Sequence, residues 1–171
     1  MSKNRIRKPI ALGALVVLLG LAALVRAAEP SPEDTVREYL QALQDQNFAR
    51  SYDLVSEGMK KDRNSGQVRS KEAWIKESQY IAQFSEAKIF EFQVFPGKVE
   101  GEKAFVPNIL SSQDKFLNQL GADEHELYTL VKEGGQWKID QQELIVDSAG
   151  VKKWFPEKAA SAEKPAPPAA K

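Results

Sequence analysis

The chain has 171 residues, enough for one domain of ordinary size once its ends are set aside, and its 24 basic residues balance 24 acidic ones. The balance hides an asymmetry: residues 1–27 carry Lys3, Arg5, Arg7, Lys8 and Arg26 and no acid, which leaves 19 basic against 24 acidic residues and a net charge near −5 in the remainder. A mildly acidic body lacks the clustered Lys and Arg that phosphate recognition needs, which excludes nucleic acid, and the absence of cysteine excludes disulfides, thiol nucleophiles, thiolate metal sites and a lipid-modified cysteine.

The first thirty residues read as a targeting segment. Lys3-Asn4-Arg5-Ile6-Arg7-Lys8 is a positive n-region, and residues 10–25 then run without a charge or a strongly polar group. Val25-Arg26-Ala27 suits a signal-peptide cleavage after Ala27. The alternative is an uncleaved anchor: sixteen residues rise roughly 24 Å as a helix, short of a hydrocarbon core of about 30 Å unless Arg26 snorkels. Both readings stay open, and both leave residues 28–171 outside the cytoplasm, on the periplasmic or extracytoplasmic side. Membrane association, where it exists, runs through residues 10–25.

The body spans residues 31–156. Ser31-Pro32-Glu33-Asp34 starts a helix: a hydroxyl that accepts from a free N–H, a proline suited to the first helical position, and two acids at the positive end of the dipole. Val36, Tyr39, Leu40 and Leu43 then recur at helical spacing. Asp45-Gln46-Asn47 breaks the pattern, and Phe48, Tyr52 and Val55 restart it as a shorter helix that Gly58 is suited to end. Residues 60–69 are polar and loop-like. Ser70-Lys71-Glu72 opens a third helix with Trp74, Ile75, Ile81 and Phe84 as its apolar members.

The period then changes to two. Phe90, Phe92 and Val94 share one face of a strand, and Pro96-Gly97 marks a bulge or an edge kink, since proline cannot donate to a ladder. Glu100-Gly101-Glu102-Lys103 turns the chain into Ala104-Phe105-Val106. Residues 127–131 and 137–139 form a hairpin about the glycine turn Gly134-Gly135. Between them, residues 112–121 are longer than a turn needs, and Phe116, Leu117 and Leu120 have the spacing of a short helix that either lids a pocket, meets a partner or packs on its own sheet. Helices grouped before strands predict an α+β layer fold, with the helices on one face of an antiparallel sheet of about four strands.

The helix Ser-Pro-Glu-Asp-Thr-Val-Arg-Glu-Tyr-Leu-Gln-Ala-Leu, the following Phe-Ala-Arg-Ser-Tyr-Asp-Leu-Val-Ser and the late Tyr-Thr-Leu-Val-Lys-Glu-Gly-Gly-Gln-Trp-Lys-Ile resemble the nuclear transport factor 2-like (cystatin-like cone) superfamily over residues 31–146, closest in style to its small bacterial exported members. The resemblance implies a curved sheet wrapped around a long helix, a cone whose mouth is often a pocket. It also implies a homodimer through the open sheet face. Its members range from isomerases and dehydratases to binding and dimerising modules, so the fold does not decide the function.

Isomerase-type chemistry would need a base and a hydrogen-bond donor converging in an apolar pocket, and Tyr39, Tyr52, Asp53 and Asp140 are the pocket candidates. None sits in a catalytic motif, so no catalytic residue is assigned. His125, the one histidine, lies in Asp123-Glu124-His125-Glu126 without the further ligands a zinc site needs, and reads as a solvated lead-in to the strand at Leu127; no metal and no cofactor is expected. Trp154 and Phe155, beside two lysines in residues 150–156, either dock a partner or a membrane interface or fold back over an edge of the sheet. Residues 157–171 are an Ala/Pro/Lys tail without apolar periodicity. The leading expectation is a non-catalytic extracytoplasmic binding module for a small apolar ligand or a protein. The alternatives are a structural envelope adaptor that docks an envelope protein, and an isomerase- or dehydratase-like enzyme.

Overall fold

The computed structural model describes residues 29–116 and 119–156. The expected targeting segment, the C-terminal residues 157–171 and Leu117 lie outside the described residues. Four helices come first: α1 (Pro32–Gln44), α2 (Phe48–Leu54), the short α3 (Glu57–Lys60) and α4 (Lys71–Ser85). Five strands follow, β1 (Lys88–Val94), β2 (Lys98–Glu100), β3 (Lys103–Asp114), β4 (Gln119–Glu133) and β5 (Gln136–Leu144), and a last helix α5 (Ser148–Trp154) closes the domain.

The α1 start is built as its sequence predicts. Ser31 accepts from the backbone N–H of Asp34, and the Asp34 carboxylate returns a bond to the Ser31 backbone, so two otherwise unpaired donors are satisfied at once. Val36 and Leu40 from this helix are fully buried, each burial favouring the fold by about 1.5–3 kcal/mol. Gly58 does not end α2, which stops at Leu54. It sits instead in α3, where an added Cβ would stand 2.8 Å from Asp140 Oδ1.

The sheet order is β1-β3-β4-β5, with β2 paired to β3 beyond a break at Pro96-Gly97, and all pairings are antiparallel. The expected cone is therefore corrected. The sheet is open, β1 and β5 are its edges and do not pair, and a sheet only four strands wide has far fewer strands than the roughly eight that enclose an interior. The helices α1–α4 cover one face, meeting Ala104, Val106, Leu110, Tyr128, Leu130 and Ile139 in the core. α5 lies on the other face, where Phe155 meets Phe95 and His125.

The predicted helix over residues 112–121 is also corrected. β3 continues to Asp114 and β4 begins at Gln119, so residues 112–114 and 119–121 are strand at the end of a long hairpin. Ladder pairing across Gln113–Leu120 and Asp114–Gln119 satisfies backbone groups that an isolated turn of helix would leave half unmet.

Gly97 shows how tightly the β1–β2 break is held. Its N–H donates to Glu33 Oε1 at 2.8 Å, and an added Cβ would lie 2.8 Å from the Phe105 carbonyl oxygen and 2.9 Å from Val106 Cγ2. Gly97→Ala is expected to cost about 1–3 kcal/mol in urea unfolding, as overpacked sites do. An unchanged midpoint would mean that residues 96–98 move aside freely.

Candidate functional site

Three of the four pocket candidates are committed to structural bonds. The Tyr52 hydroxyl donates to the Arg69 carbonyl at 3.0 Å. Asp53 accepts from Lys71 Nζ at 2.7 Å, and Asp140 Oδ1 accepts from the Ser56 hydroxyl at 2.6 Å. Only Tyr39 faces the apolar opening described next, so the four residues do not converge.

That opening is a cleft of ≈ 270 Å³ between α1, α4 and the start of β1. Tyr39, Leu43, Phe48, Trp74, Ile81 and Ile89 form most of its apolar wall, and Ser78, Ala82 and Ala87 keep one side low. Trp74 is the fixed element: its indole N–H donates to the Ser51 hydroxyl at 3.2 Å, and its ring meets Tyr52 edge to face at 5.9 Å. Gln44 closes the β1 side by donating from Nε2 to the carbonyls of Ile89 (3.3 Å) and Phe90 (3.1 Å).

Beside the cleft runs a column of exposed rings. Tyr80 stacks on Phe84 at 5.5 Å and Phe84 on Phe116 at 4.7 Å, while the three stay 64%, 54% and 57% exposed. Phe116, expected on a helical lid, thus sits at the hairpin end and joins α4 across space; the Lys115 N–H bonded to the Ser85 carbonyl at 3.0 Å ties the two together. Leu120 lies in β4. On the opposite sheet face Trp154 meets Phe105 at 6.0 Å, and Phe155 is 1% exposed, its ring occupied within the chain.

A second cluster went unrecognised in the sequence. Glu126 is 1% exposed and accepts from Asn108 Nδ2 (2.9 Å), the Tyr128 hydroxyl (3.0 Å) and Gln142 Nε2 (2.6 Å). Burial pushes its carboxyl above the ordinary glutamic-acid value; the three donors oppose this and the neighbouring Glu124 adds to it. Burial and the Glu126 charge raise Tyr39 to about 12 and Tyr128 well above an ordinary tyrosine. Asn108 Oδ1 is buried without a hydrogen-bond partner. The readable signal was period two: Glu126 shares a strand face with the apolar Tyr128 and Leu130, two and four residues on. Among the described residues no group of His, Asp and Glu is arranged to hold a metal ion, and no helix is long and apolar enough to cross a membrane.

No protein-family model and no curated protein matches the sequence. Solved structures similar to this chain include an NTF2-like protein from Cytophaga hutchinsonii (14% identity, 65% of this chain and 91% of that one, TM-score 0.46). A ketosteroid isomerase-like protein from Erwinia carotovora atroseptica is similar at 12% identity, over 67% of this chain and 94% of that one, with a TM-score of 0.45. Bdellovibrio bacteriovorus Bd1075 is similar at 13% identity and TM-score 0.45 over 64% of this chain, which spans only 38% of that protein's length. Likenesses so partial carry no activity, ligand or partner to this chain.

Proposed function

We propose that this is an exported, non-catalytic docking domain of the cell envelope, an adaptor that holds a partner at the end of the domain farthest from its N-terminus. The observation that carries the reading is the pairing of an apolar cleft with the exposed Tyr80–Phe84–Phe116 column at one end of the sheet. The N-terminal end of the described chain lies at the other end, where Glu29 meets Lys132 near the β4–β5 turn at 3.8 Å. β4 runs fifteen residues between those ends, roughly 50 Å at about 3.4 Å per residue. A domain held near a membrane by its N-terminal segment would present the aromatic end outward. The largest contiguous apolar patch on a folded domain is often functional, whereas singly exposed apolar side chains are ordinary.

The isomerase- or dehydratase-like alternative needs a carboxylate base in the cleft, and neither Asp53 nor Asp140 lines it. The test uses N-phenyl-1-naphthylamine, an apolar fluorophore, with the full-length chain. Saturable binding to the wild type and an affinity at least tenfold lower for Ile81→Asp, with the melting temperature unchanged, are expected. Ile81 is 52% exposed, so the charge is tolerated by the fold. Equal binding by both proteins would remove the cleft as the docking surface.

A further inference from the structure

We infer that the occupant of this surface is an amphipathic helix of a partner protein, seated on α4 with two apolar side chains in the cleft; this rests on the docking reading above and narrows it. Size argues first. A cavity of about 150 Å³ holds one benzene, whereas pockets for drug-sized ligands run from about 300 to 1,000 Å³. At ≈ 270 Å³ the cleft takes about two side-chain-sized groups, room for a small aromatic probe, and lies just below the drug-sized range.

Area argues second. Tyr80, Ile81, Phe84 and Phe116 are each between 52% and 64% exposed. With large side chains covering about 150–250 Å² apiece when fully buried, the patch offers about 450 Å². A stable interface between two folded domains takes about 800 Å² per partner. The patch alone is too small for a second copy of this domain laid face to face and matches a single short element.

The walls argue third. Where the cleft meets the sheet edge, the Ile89 and Phe90 carbonyls already accept from Gln44 Nε2, so an added strand would meet occupied acceptors there. α4 offers a different template. It packs chiefly on α2, leaves Tyr80, Ile81 and Phe84 outside, and carries Ser78 and Ala82 four residues apart as a low row beside them. Ridges of large side chains flanking a row of small ones are the surface into which the i, i+4 side chains of a second helix fit.

The test is selection from a display library of 16-residue random peptides on the full-length chain, with the Ile81→Asp chain as the counter-target. Enriched peptides are expected to carry apolar residues at i, i+3, i+4 and i+7 and to bind Ile81→Asp at least tenfold more weakly. Enriched peptides with alternating apolar residues would overturn the helix in favour of a strand and leave the docking reading standing. No enrichment, with the naphthylamine probe still bound, would overturn the helix and return the cleft to small ligands. A wild-type dimer that Ile81→Asp converts to monomer in sedimentation would overturn it in favour of a second copy, and loss of both peptide and probe binding would end both readings.

Discussion

Replacing Glu126 by leucine is expected to destabilise the domain by about 2–5 kcal/mol. The carboxylate is the acceptor for two groups that have no water to turn to, Asn108 Nδ2 and the Tyr128 hydroxyl; both residues are 0% exposed. Each buried donor stranded by the change costs about 1–3 kcal/mol. Gln142, the third donor, is exposed and can be hydrated, so it adds little. Leucine returns some apolar contact, which is why the lower end of the range is included. Urea unfolding measures the loss; a change under 1 kcal/mol would mean that the polar cluster is not closed to solvent.

Glu126 also sets a direction for the pH dependence of stability. Its carboxyl is raised above the ordinary value of 4.5, so in the window above that value the native state holds a proton that the unfolded chain has released. The contribution is fully present below the unfolded value and is lost as pH rises through the folded one. Glu126→Gln keeps the shape, lets the Asn108 and Gln142 amides turn over, and should flatten this part of the profile. A wild-type profile that rises with pH across that window, identical in the glutamine variant, would contradict the assignment.

Trp74→Ala should be equally costly, about 3–5 kcal/mol, for a different reason. Trp74 is 8% exposed and is the buried aromatic side chain that packs α4 on Ser51 and Tyr52 of α2. Truncation removes its packing and leaves a void beside the cleft, as for other large-to-alanine core changes. It also takes from the buried Ser51 oxygen the donor it accepts from, and removes the face on which the Arg69 guanidinium sits at 4.7 Å. Trp74→Phe keeps most of the volume and loses the bond to Ser51, a loss of about 1 kcal/mol. Comparable unfolding midpoints for the two variants would show that packing is not what holds α4. Because this residue both anchors α4 and walls the cleft, its alanine variant is a test of stability, whereas Ile81→Asp isolates binding.

Local rules were enough to read much of this fold. Ser31, Pro32 and Asp34 announce α1 through capping chemistry that needs only neighbours three residues away, and Gly134-Gly135 sets the β4–β5 turn with two positive φ values, +58° and +82°. What failed depended on the sheet as a whole. Phe116, Leu117 and Leu120 have helical spacing, yet a twelve-residue and a fifteen-residue strand zip up beside them and bring Phe116 and Leu120 to a hairpin end. Closure into a cone is a property of strand number and edge pairing, which residue patterns do not record. For the site, Asp53 and Asp140 are available carboxylates as the sequence stands, but Lys71 and Ser56, which hold them, lie 18 and 84 residues away in the chain. Glu126 was hidden for the opposite reason: its neighbours Asp123 and Glu124 make it look solvated, and only the alternation with Tyr128 and Leu130 turns it inward. The exposed ring column was invisible because Phe116 reaches Phe84 only once the hairpin end lies against α4.

The docking account is tested most directly by site-specific photocrosslinking in the protein's own cells. Benzoylphenylalanine in place of Tyr80 would probe the aromatic end, and the same residue in place of Gln136, at the β4–β5 turn, would be the control. The account predicts a discrete adduct larger than the chain from the Tyr80 position, absent from Gln136 and abolished when Ile81→Asp is added. Adducts of equal yield from both positions, or none from Tyr80 in cells where the protein is abundant, would contradict it.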